Sequence, residues 1–173
     1  ELLDFFSHEF GFNPQEVVAL MGAHSIGTAS RQNSGFDGPE GWDDTNDRLD
    51  IDYYRKLIGG GNPNNLGDLI DAPNWNQETI RNSGDIPDRV QWRRRKGNNR
   101  NQDIIGLNVD ISLCRDLSGR IQTSGSVSCR FKRNNACPHA ASTIFLMANY
   151  RFNENLFLRD FESVFKKTII NGY

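Results

Sequence analysis

The chain of 173 residues has no dominant charge, no long apolar run and no internal repeat. Its 20 basic and 22 acidic residues leave a formal net charge of −2, so composition gives no argument for binding to nucleic acid or to a membrane surface. No stretch approaches the ~20 consecutive apolar residues that a membrane-spanning helix needs. We therefore expect no nucleic-acid partner and no membrane partner, and a single domain or a large part of one.

Cysteine is scarce, with only Cys114, Cys129 and Cys137 in the chain. No C-x₂-C pair exists, so a zinc site is not expected. Cys129 and Cys137 lie eight residues apart in a segment rich in glycine, serine and asparagine, and they could form a small disulfide loop. Cys114 would then be free or paired with something outside this sequence. Because disulfides persist in oxidising compartments, we expect secretion rather than an intracellular location.

The chain also lacks an initiating methionine and a signal peptide. It begins with Glu1 inside an apolar pattern that predicts a helix over residues 1–10. We interpret this beginning as a cut end, so the lack of a targeting segment carries no information.

Glycine, asparagine and proline interrupt the apolar pattern over residues 61–103 and 117–137, which we interpret as two long loop insertions. Elsewhere the apolar residues recur at helical spacing, so the fold class is mainly α. The pattern predicts helices over 1–10, 14–29 and about 51–58, and two more that begin near Pro138 and Glu154.

The most informative segment is the predicted helix 14–29. Asn13 suits the N-cap, Pro14 suits the first helical position, and Glu16 follows the cap by three residues. Four residues then recur at i, i+3, i+4 and i+7, which places an imidazole on an apolar stripe: Val17, Leu20, Met21 and His24. Such a histidine is more often a core residue than a ligand, and periodicity alone does not decide between the two.

Residues 17–27 read Val-Val-Ala-Leu-Met-Gly-Ala-His-Ser-Ile-Gly. This segment resembles the proximal-histidine signature of the plant, fungal and bacterial haem peroxidase superfamily. The resemblance implies that His24 is the axial ligand of the iron of haem b. It also implies the haem peroxidase fold, with residues 1–173 forming its proximal, C-terminal helical half.

A second match is Ser34-Gly35-Phe36-Asp37-Gly38-Pro39, followed by Trp42. It is similar to the family segment S-G-F/Y-E-G-P-W, with Asp37 in place of glutamate and two extra residues before the tryptophan. In the intracellular class, which holds cytochrome c and ascorbate peroxidases, this tryptophan packs on the proximal imidazole and carries a radical. Trp42 therefore resembles the catalytic residue of that class, although a plain core tryptophan is the alternative.

A third match is the pattern Asp43-x-Thr45-x-x-Arg48-x-Asp50, taken together with Ser25, which directly follows the histidine. It resembles the proximal cation site of the family, with the carbonyl oxygen of Arg48 and side-chain oxygens of the others as ligands. Two carboxylates favour Ca²⁺, as in the secreted fungal class, over the K⁺ that ascorbate peroxidases hold. A solvated acidic turn is the alternative.

The fourth match is Leu107-Asn108-Val109-Asp110-Ile111-Ser112-Leu113, which resembles the family pattern L-x-S-D-x-x-L. The family aspartate accepts the other N–H of the proximal histidine, which fixes the tautomer and strengthens the ligand. The resemblance gives Asp110 this role, and we expect it to accept from the Trp42 indole as well. A surface aspartate is the alternative.

Together these matches imply a peroxidase that reduces hydrogen peroxide, removes it under oxidative stress and oxidises a reducing substrate by one electron at a time. The family's distal histidine and arginine belong to an N-terminal half that this sequence does not contain, so we expect the isolated chain to be inactive. Two alternatives are a catalase-peroxidase-like haem protein and a non-catalytic calcium-binding structural domain that has lost haem.

Overall fold

The computed structural model describes residues 2–58, 75–94, 103–129, 137–140 and 142–170. Helices predominate, and a three-stranded antiparallel sheet with strand order β1-β2-β3 accompanies them. The prediction of a helical fold is therefore confirmed in part. The helices are α1 (Leu2–Phe10), α2 (Pro14–Met21), α3 (Arg31–Ser34), α4 (Asp52–Ile58), α5 (Asn108–Ser112), α6 (Ile144–Phe152) and α7 (Glu154–Ile170). The strands are β1 (Trp75–Ile80), β2 (Arg89–Arg94) and β3 (Ile104–Gly106). In the described part of the chain, no helix has the length and apolar character required to cross a membrane.

Helix α2 lies at the centre of the core, where it packs against α7 and also contacts α6. A capping box starts it: the Asn13 side chain accepts the Glu16 N–H, and the Glu16 carboxylate accepts the Asn13 N–H. Its inward face is fully buried, as are the facing side chains of the neighbouring helices. These residues are Val17, Val18, Ala19, Tyr53, Tyr54, Leu57, Met147 and Phe157.

The predicted helix 14–29 is shorter than expected. Helix α2 ends at Met21, a 3₁₀ turn covers Gly22–Ser25, and the chain is extended from Ile26. At Gly27 the backbone φ is 96°, a left-handed conformation that the helix cannot accommodate, and the Gly27 N–H bonds to Asn46 O at 2.8 Å. His24 therefore lies on the 3₁₀ turn with its side chain 31% exposed, and not on a fully buried stripe.

The expectation that residues 61–103 form a loop is wrong for residues 75–94, and whether the segment is an insertion stays a prediction. Residues 75–94 form the β1–β2 hairpin, in which Gln77 pairs with Trp92. The two inward-facing residues of β2 are Gln91 and Arg93, so the apolar alternation that identifies a strand is missing. Residues 61–74 and 95–102 lie outside the described residues.

Polar side chains of β1 and β2 hold the loop that precedes Trp42. The Gln91 amide accepts the Asp37 N–H at 2.8 Å and donates to Asp37 O at 2.9 Å. Arg93, only 5% exposed, donates to the same carbonyl at 3.0 Å and forms an ion pair with Glu78. We call this set, Asp37, Glu78, Gln91 and Arg93, the hairpin clamp. It attaches the sheet to the loop between His24 and Trp42.

The second predicted insertion, 117–137, is described up to residue 129, and that part contains turns and one isolated bridge between Ile121 and Val127. Residues 130–136 lie outside the described residues. Cys129 and Cys137 form a disulfide, and Cys114 is a buried free thiol. Helix α6 begins at Ile144 and not at Pro138, because residues 138–140 pair in extended form with residues 114–116.

Candidate functional site

The site is built around the His24 imidazole. Its Nδ1 lies 2.6 Å from Asp110 Oδ1, and its ring stacks on Trp42 with centroids 4.6 Å apart and planes inclined by 20°. Tyr53 approaches edge-on, with its ring centroid 6.1 Å from that of His24. A carboxylate only accepts, so Nδ1 carries the proton and the lone pair of Nε2 remains for a ligand.

Asp110 is fully buried and joins the elements of the site. It is the third residue of α5, where its carboxylate accepts the Leu107 N–H at 2.7 Å. Its Oδ2 also accepts the Trp42 indole N–H at 2.9 Å, and its Oδ1 accepts the Tyr53 hydroxyl at 2.7 Å. With the His24 Nδ1–H, four donors therefore converge on one carboxylate, which fixes its orientation.

The electrostatics of the site follow from this arrangement. Burial lowers the pKa of His24, but the hydrogen bond and the negative charge of Asp110 raise it more, so the pKa lies above its ordinary value. Burial, reinforced by the charge of Asp110, raises the pKa of Tyr53 well above that of a free phenol. Tyr53 thus remains a hydrogen-bond donor at any physiological pH.

The structure brings together His24, Trp42 and Asp110, as the sequence match requires, and their chemical roles stay predictions. Sequence reasoning missed Tyr53, which it placed only within the helix predicted for about 51–58. A signal was present: a tyrosine hydroxyl on a buried helix face needs a polar partner, and a buried carboxylate needs several donors.

Four of the five predicted cation ligands also converge. Ser25 Oγ accepts the Asp50 N–H at 3.3 Å, and Thr45 Oγ1 donates to Asp50 Oδ2 at 2.8 Å. Asp43 Oδ1 accepts the Thr45 N–H at 2.9 Å. The Arg48 side chain is exposed, with Nε 3.7 Å from Asp50 Oδ2, so only its carbonyl suits the predicted role.

Asp43 is the unusual member of this loop. It is 1% exposed, and its Oδ2 is buried without a hydrogen-bond partner. Burial, together with the charges of Asp50, Asp52 and Asp44, raises the pKa of Asp43 to about 6. A buried, unpartnered carboxylate oxygen beside another carboxylate is costly unless a cation neutralises it.

Among the described residues, no group of three or more histidine, cysteine, aspartate or glutamate side chains is placed to hold a metal ion. A cation at this loop would therefore depend on the Ser25 and Thr45 hydroxyls and on backbone carbonyls as well as on Asp43 and Asp50. Calcium accepts such mixed oxygen ligands.

Apolar side chains that are close in sequence to His24 and Asp110 are partly exposed. Ile26, two residues after His24, is 51% exposed, and Val109, next to Asp110, is 38% exposed. Met21 is half-buried one turn before His24. A partly exposed imidazole with Nδ1 held by Asp110, stacked on an indole and followed by exposed apolar residues, has the chemistry that fits haem.

Comparison with known proteins agrees with this chemistry at a coarse level. No protein-family model matches the chain. It is 38% identical over 76 residues to a protein of Yarrowia lipolytica provisionally named heme-binding peroxidase, a match that covers 44% of this chain and 23% of the relative. It is 26% identical over 167 residues to the mitochondrial cytochrome c peroxidase of the same organism, covering 94% of this chain and 33% of the relative. A mitochondrial cytochrome c peroxidase of Neurospora crassa is 47% identical over 51 residues, covering 30% and 14%.

The chain thus spans a third or less of the length of these curated relatives. Their names indicate peroxidase activity and haem binding in related proteins. They also correct the expectation of secretion, which is wrong: two of the three relatives are named mitochondrial. The cysteines misled because a disulfide reports the redox state of a compartment and does not identify the compartment.

Proposed function

We propose that this chain is the proximal, haem-binding part of a haem peroxidase that reduces hydrogen peroxide and oxidises a one-electron donor. The observation that carries the proposal is the His24 imidazole, whose Nδ1 is bound by the buried Asp110 while its ring remains partly exposed beside apolar side chains. When bound, haem b supplies the redox chemistry of peroxide reduction. The peroxidase names of the relatives support the same conclusion.

Each residue of the site has a defined task in this proposal. His24 holds the iron through Nε2, and Asp110 holds the proton on Nδ1 and makes the imidazole a stronger donor. Trp42 stacks on the imidazole and shares Asp110 with it, so the carboxylate stabilises positive charge on the indole when it loses an electron.

The groups that cleave the peroxide bond belong, in this proposal, to an N-terminal distal half outside this sequence. The matches cover a third or less of each relative, so the relatives contain a long further part in which such groups can lie. The isolated chain is then expected to be inactive. The two relatives named mitochondrial favour a mitochondrial location for the whole protein.

The proposal is tested by titrating the full-length polypeptide with hemin and then adding one equivalent of hydrogen peroxide. We expect stoichiometric uptake with a Soret band, and a shift of that band within the mixing time. Uptake without any response to peroxide would contradict the peroxidase assignment. Failure to bind hemin would favour the second candidate, a non-catalytic calcium-binding domain, which the buried Asp43 oxygen independently supports.

We also propose that Ser25, Asp43, Thr45, Asp50 and the Arg48 carbonyl bind one Ca²⁺, with K⁺ as the weaker competitor. The unpartnered Oδ2 of Asp43 supports this assignment. Because Ser25 follows His24 directly, a cation there fixes the turn that carries the imidazole. Chelation is therefore expected to loosen the haem site as well as the loop.

The substitution Asp43→Asn distinguishes the effect of cation binding on stability from the stability of the metal-free fold. Folding raises the pKa of Asp43 from 3.8 to about 6, so ionisation of Asp43 opposes folding of the metal-free protein. That cost is absent below pH 3.8, grows as the pH rises and is complete above about pH 6. At pH 7.5 without metal, Asp43→Asn should therefore raise the melting temperature, by roughly 2–4 °C for each kcal/mol recovered.

With saturating Ca²⁺ the wild-type protein should have the higher melting temperature, because it gains stability from the ion and Asp43→Asn does not. Melting curves recorded with Ca²⁺, with K⁺ and with chelator measure both effects. Asp47→Asn is the matched control, since Asp47 is an exposed acid of the same loop and should respond to Ca²⁺ as the wild type does. If chelator and Ca²⁺ leave the wild-type curve unchanged, the loop does not bind the ion.

A further inference from the structure

Three of the four tyrosines in the chain form a continuous row behind the site. Tyr53 and Tyr54 on α4 have ring centroids 5.2 Å apart, and Tyr54 and Tyr150 on α6 have centroids 5.3 Å apart. All three rings are at most 1% exposed. The row therefore runs through the core, and its first ring lies beside His24.

Tyr53 and Tyr150, at the ends of the row, each donate to a carboxylate that can act as a base, whereas Tyr54 in the middle does not. The Tyr53 hydroxyl donates to Asp110 Oδ1 at 2.7 Å, and the Tyr150 hydroxyl donates to Asp160 Oδ2 at 2.9 Å. Tyr54 donates to the Val18 carbonyl at 2.8 Å, and a backbone carbonyl does not act as a base. A phenol that loses an electron becomes a strong acid, so it needs a base within hydrogen-bond reach.

We propose that Tyr53 and Tyr150 form a one-electron transfer route that leads from the His24 site to the surface beside Asp160, with the Tyr54 ring as the bridge between them. This inference rests on the proposed function, because haem oxidised by hydrogen peroxide is the oxidant. In the first step Tyr53 gives one electron to the oxidised haem, and its hydroxyl proton passes to Asp110. The products are a neutral Tyr53 radical, a protonated Asp110 and a haem reduced by one electron.

In the second step Tyr150 gives one electron to the Tyr53 radical through the Tyr54 ring. Tyr53 recovers its proton from Asp110, and the Tyr150 proton passes to Asp160. Asp160 reaches the surface: its side chain is 14% exposed, and its carboxylate also binds Gln15 and Arg159. A one-electron donor then reduces Tyr150, which recovers its proton from Asp160.

The test uses the full-length polypeptide loaded with hemin and carrying Trp42→Phe, so that no indole radical overlaps the signal. One equivalent of hydrogen peroxide is added, the sample is freeze-quenched, and its EPR spectrum is recorded with normal and with ring-deuterated tyrosine. We expect a signal that deuteration narrows, which identifies a tyrosyl radical. Tyr53→Phe should remove most of this signal.

The bridge is tested by two substitutions at one position. Tyr54→Phe keeps the ring and should behave as its parent, whereas Tyr54→Leu removes the ring and should trap the radical on Tyr53. A radical on Tyr53 lies nearer the iron than one on Tyr150, so its electron spin relaxes faster. Tyr150→Phe should give the same faster relaxation, which keeps the test decisive if Tyr54→Leu does not fold.

Tyr173→Phe, at the fourth tyrosine of this sequence, is the control and should leave yield and relaxation unchanged. A full tyrosyl signal in Tyr53→Phe overturns the route, and so does equal relaxation in the parent, Tyr54→Leu and Tyr150→Phe. These results leave the peroxidase assignment intact if the Soret band still responds to peroxide. Absence of hemin binding or of that response removes the assignment, and the route with it.

Discussion

Replacing His24 by alanine in the full-length polypeptide is expected to abolish the Soret band of bound haem. The imidazole is the one strong nitrogen donor that the described site presents, and Asp110 already holds its Nδ1, so Nε2 is the ligating atom. Without Nε2 the apolar side chains near the turn can contact haem but cannot ligate its iron. Hemin titration followed by absorption spectroscopy measures the loss, which should be nearly complete at stoichiometric hemin.

His8→Ala is the control for this result. His8 lies on α1 with its side chain 87% exposed, and its described contact is with the adjacent Glu9. Its removal should leave the spectrum unchanged. Addition of imidazole to His24→Gly should restore part of the Soret band, because a free imidazole can enter the space that the side chain left. A normal five-coordinate spectrum in His24→Ala would show that another residue binds the iron.

The second large effect is expected at Asp110. Asp110→Ala leaves the Tyr53 hydroxyl, the Trp42 indole N–H and the Leu107 N–H without their acceptor in a buried site. An unsatisfied buried donor costs about 1–3 kcal/mol. Such costs are not additive, and removing one partner of a buried charged pair costs about 3–5 kcal/mol in total, so the free energy of unfolding should fall by roughly that amount. That is a large part of the 5–15 kcal/mol typical of a folded domain. Urea unfolding of the wild type and the variant measures the difference.

Asp110→Asn distinguishes the effect of Asp110 on the stability of the fold from its effect on the haem iron. The amide keeps one acceptor oxygen, but its NH₂ group faces two donors where Oδ2 was, so the loss of stability should be smaller but real. Loss of the carboxylate weakens the imidazole as a donor, and the reduction potential of the haem iron should rise. Asp116→Ala, at a partly exposed acid after α5, is the control for both measurements. An unchanged potential in Asp110→Asn would remove Asp110 from the proximal role.

Sequence rules predicted the helix starts that depend on residues close by in the chain. The capping box of Asn13 and Glu16 starts α2 at the expected residue, and α4 and α7 begin within a residue of their predicted starts. The end of α2 was missed because it depends on Gly27, whose left-handed backbone is fixed by a bond to Asn46 nineteen positions further on. The hairpin was missed because its buried positions are polar, and long-range partners satisfy them.

The site likewise depends on contacts between residues that are far apart in the chain. The positions of His24, Trp42 and Asp110 follow from a motif resemblance, since their separations along the chain carry no local signal. Tyr53 needed the packing of α4 against the turn before its hydroxyl could be assigned to Asp110. The unpartnered oxygen of Asp43 is likewise a property of the folded loop, and no sequence pattern reveals it.

The hairpin clamp has a consequence for the order in which the site assembles. Asp37 and Gln91 are separated by 54 positions, so the loop before Trp42 gains this anchor only after a long segment of chain has closed. Closing such a segment costs conformational entropy before any contact repays it, and contacts of this span generally form late in folding. We therefore expect His24 to be in place on the 3₁₀ turn after α2 before Trp42 packs against it, so that the indole is among the last groups of the site to reach its native position.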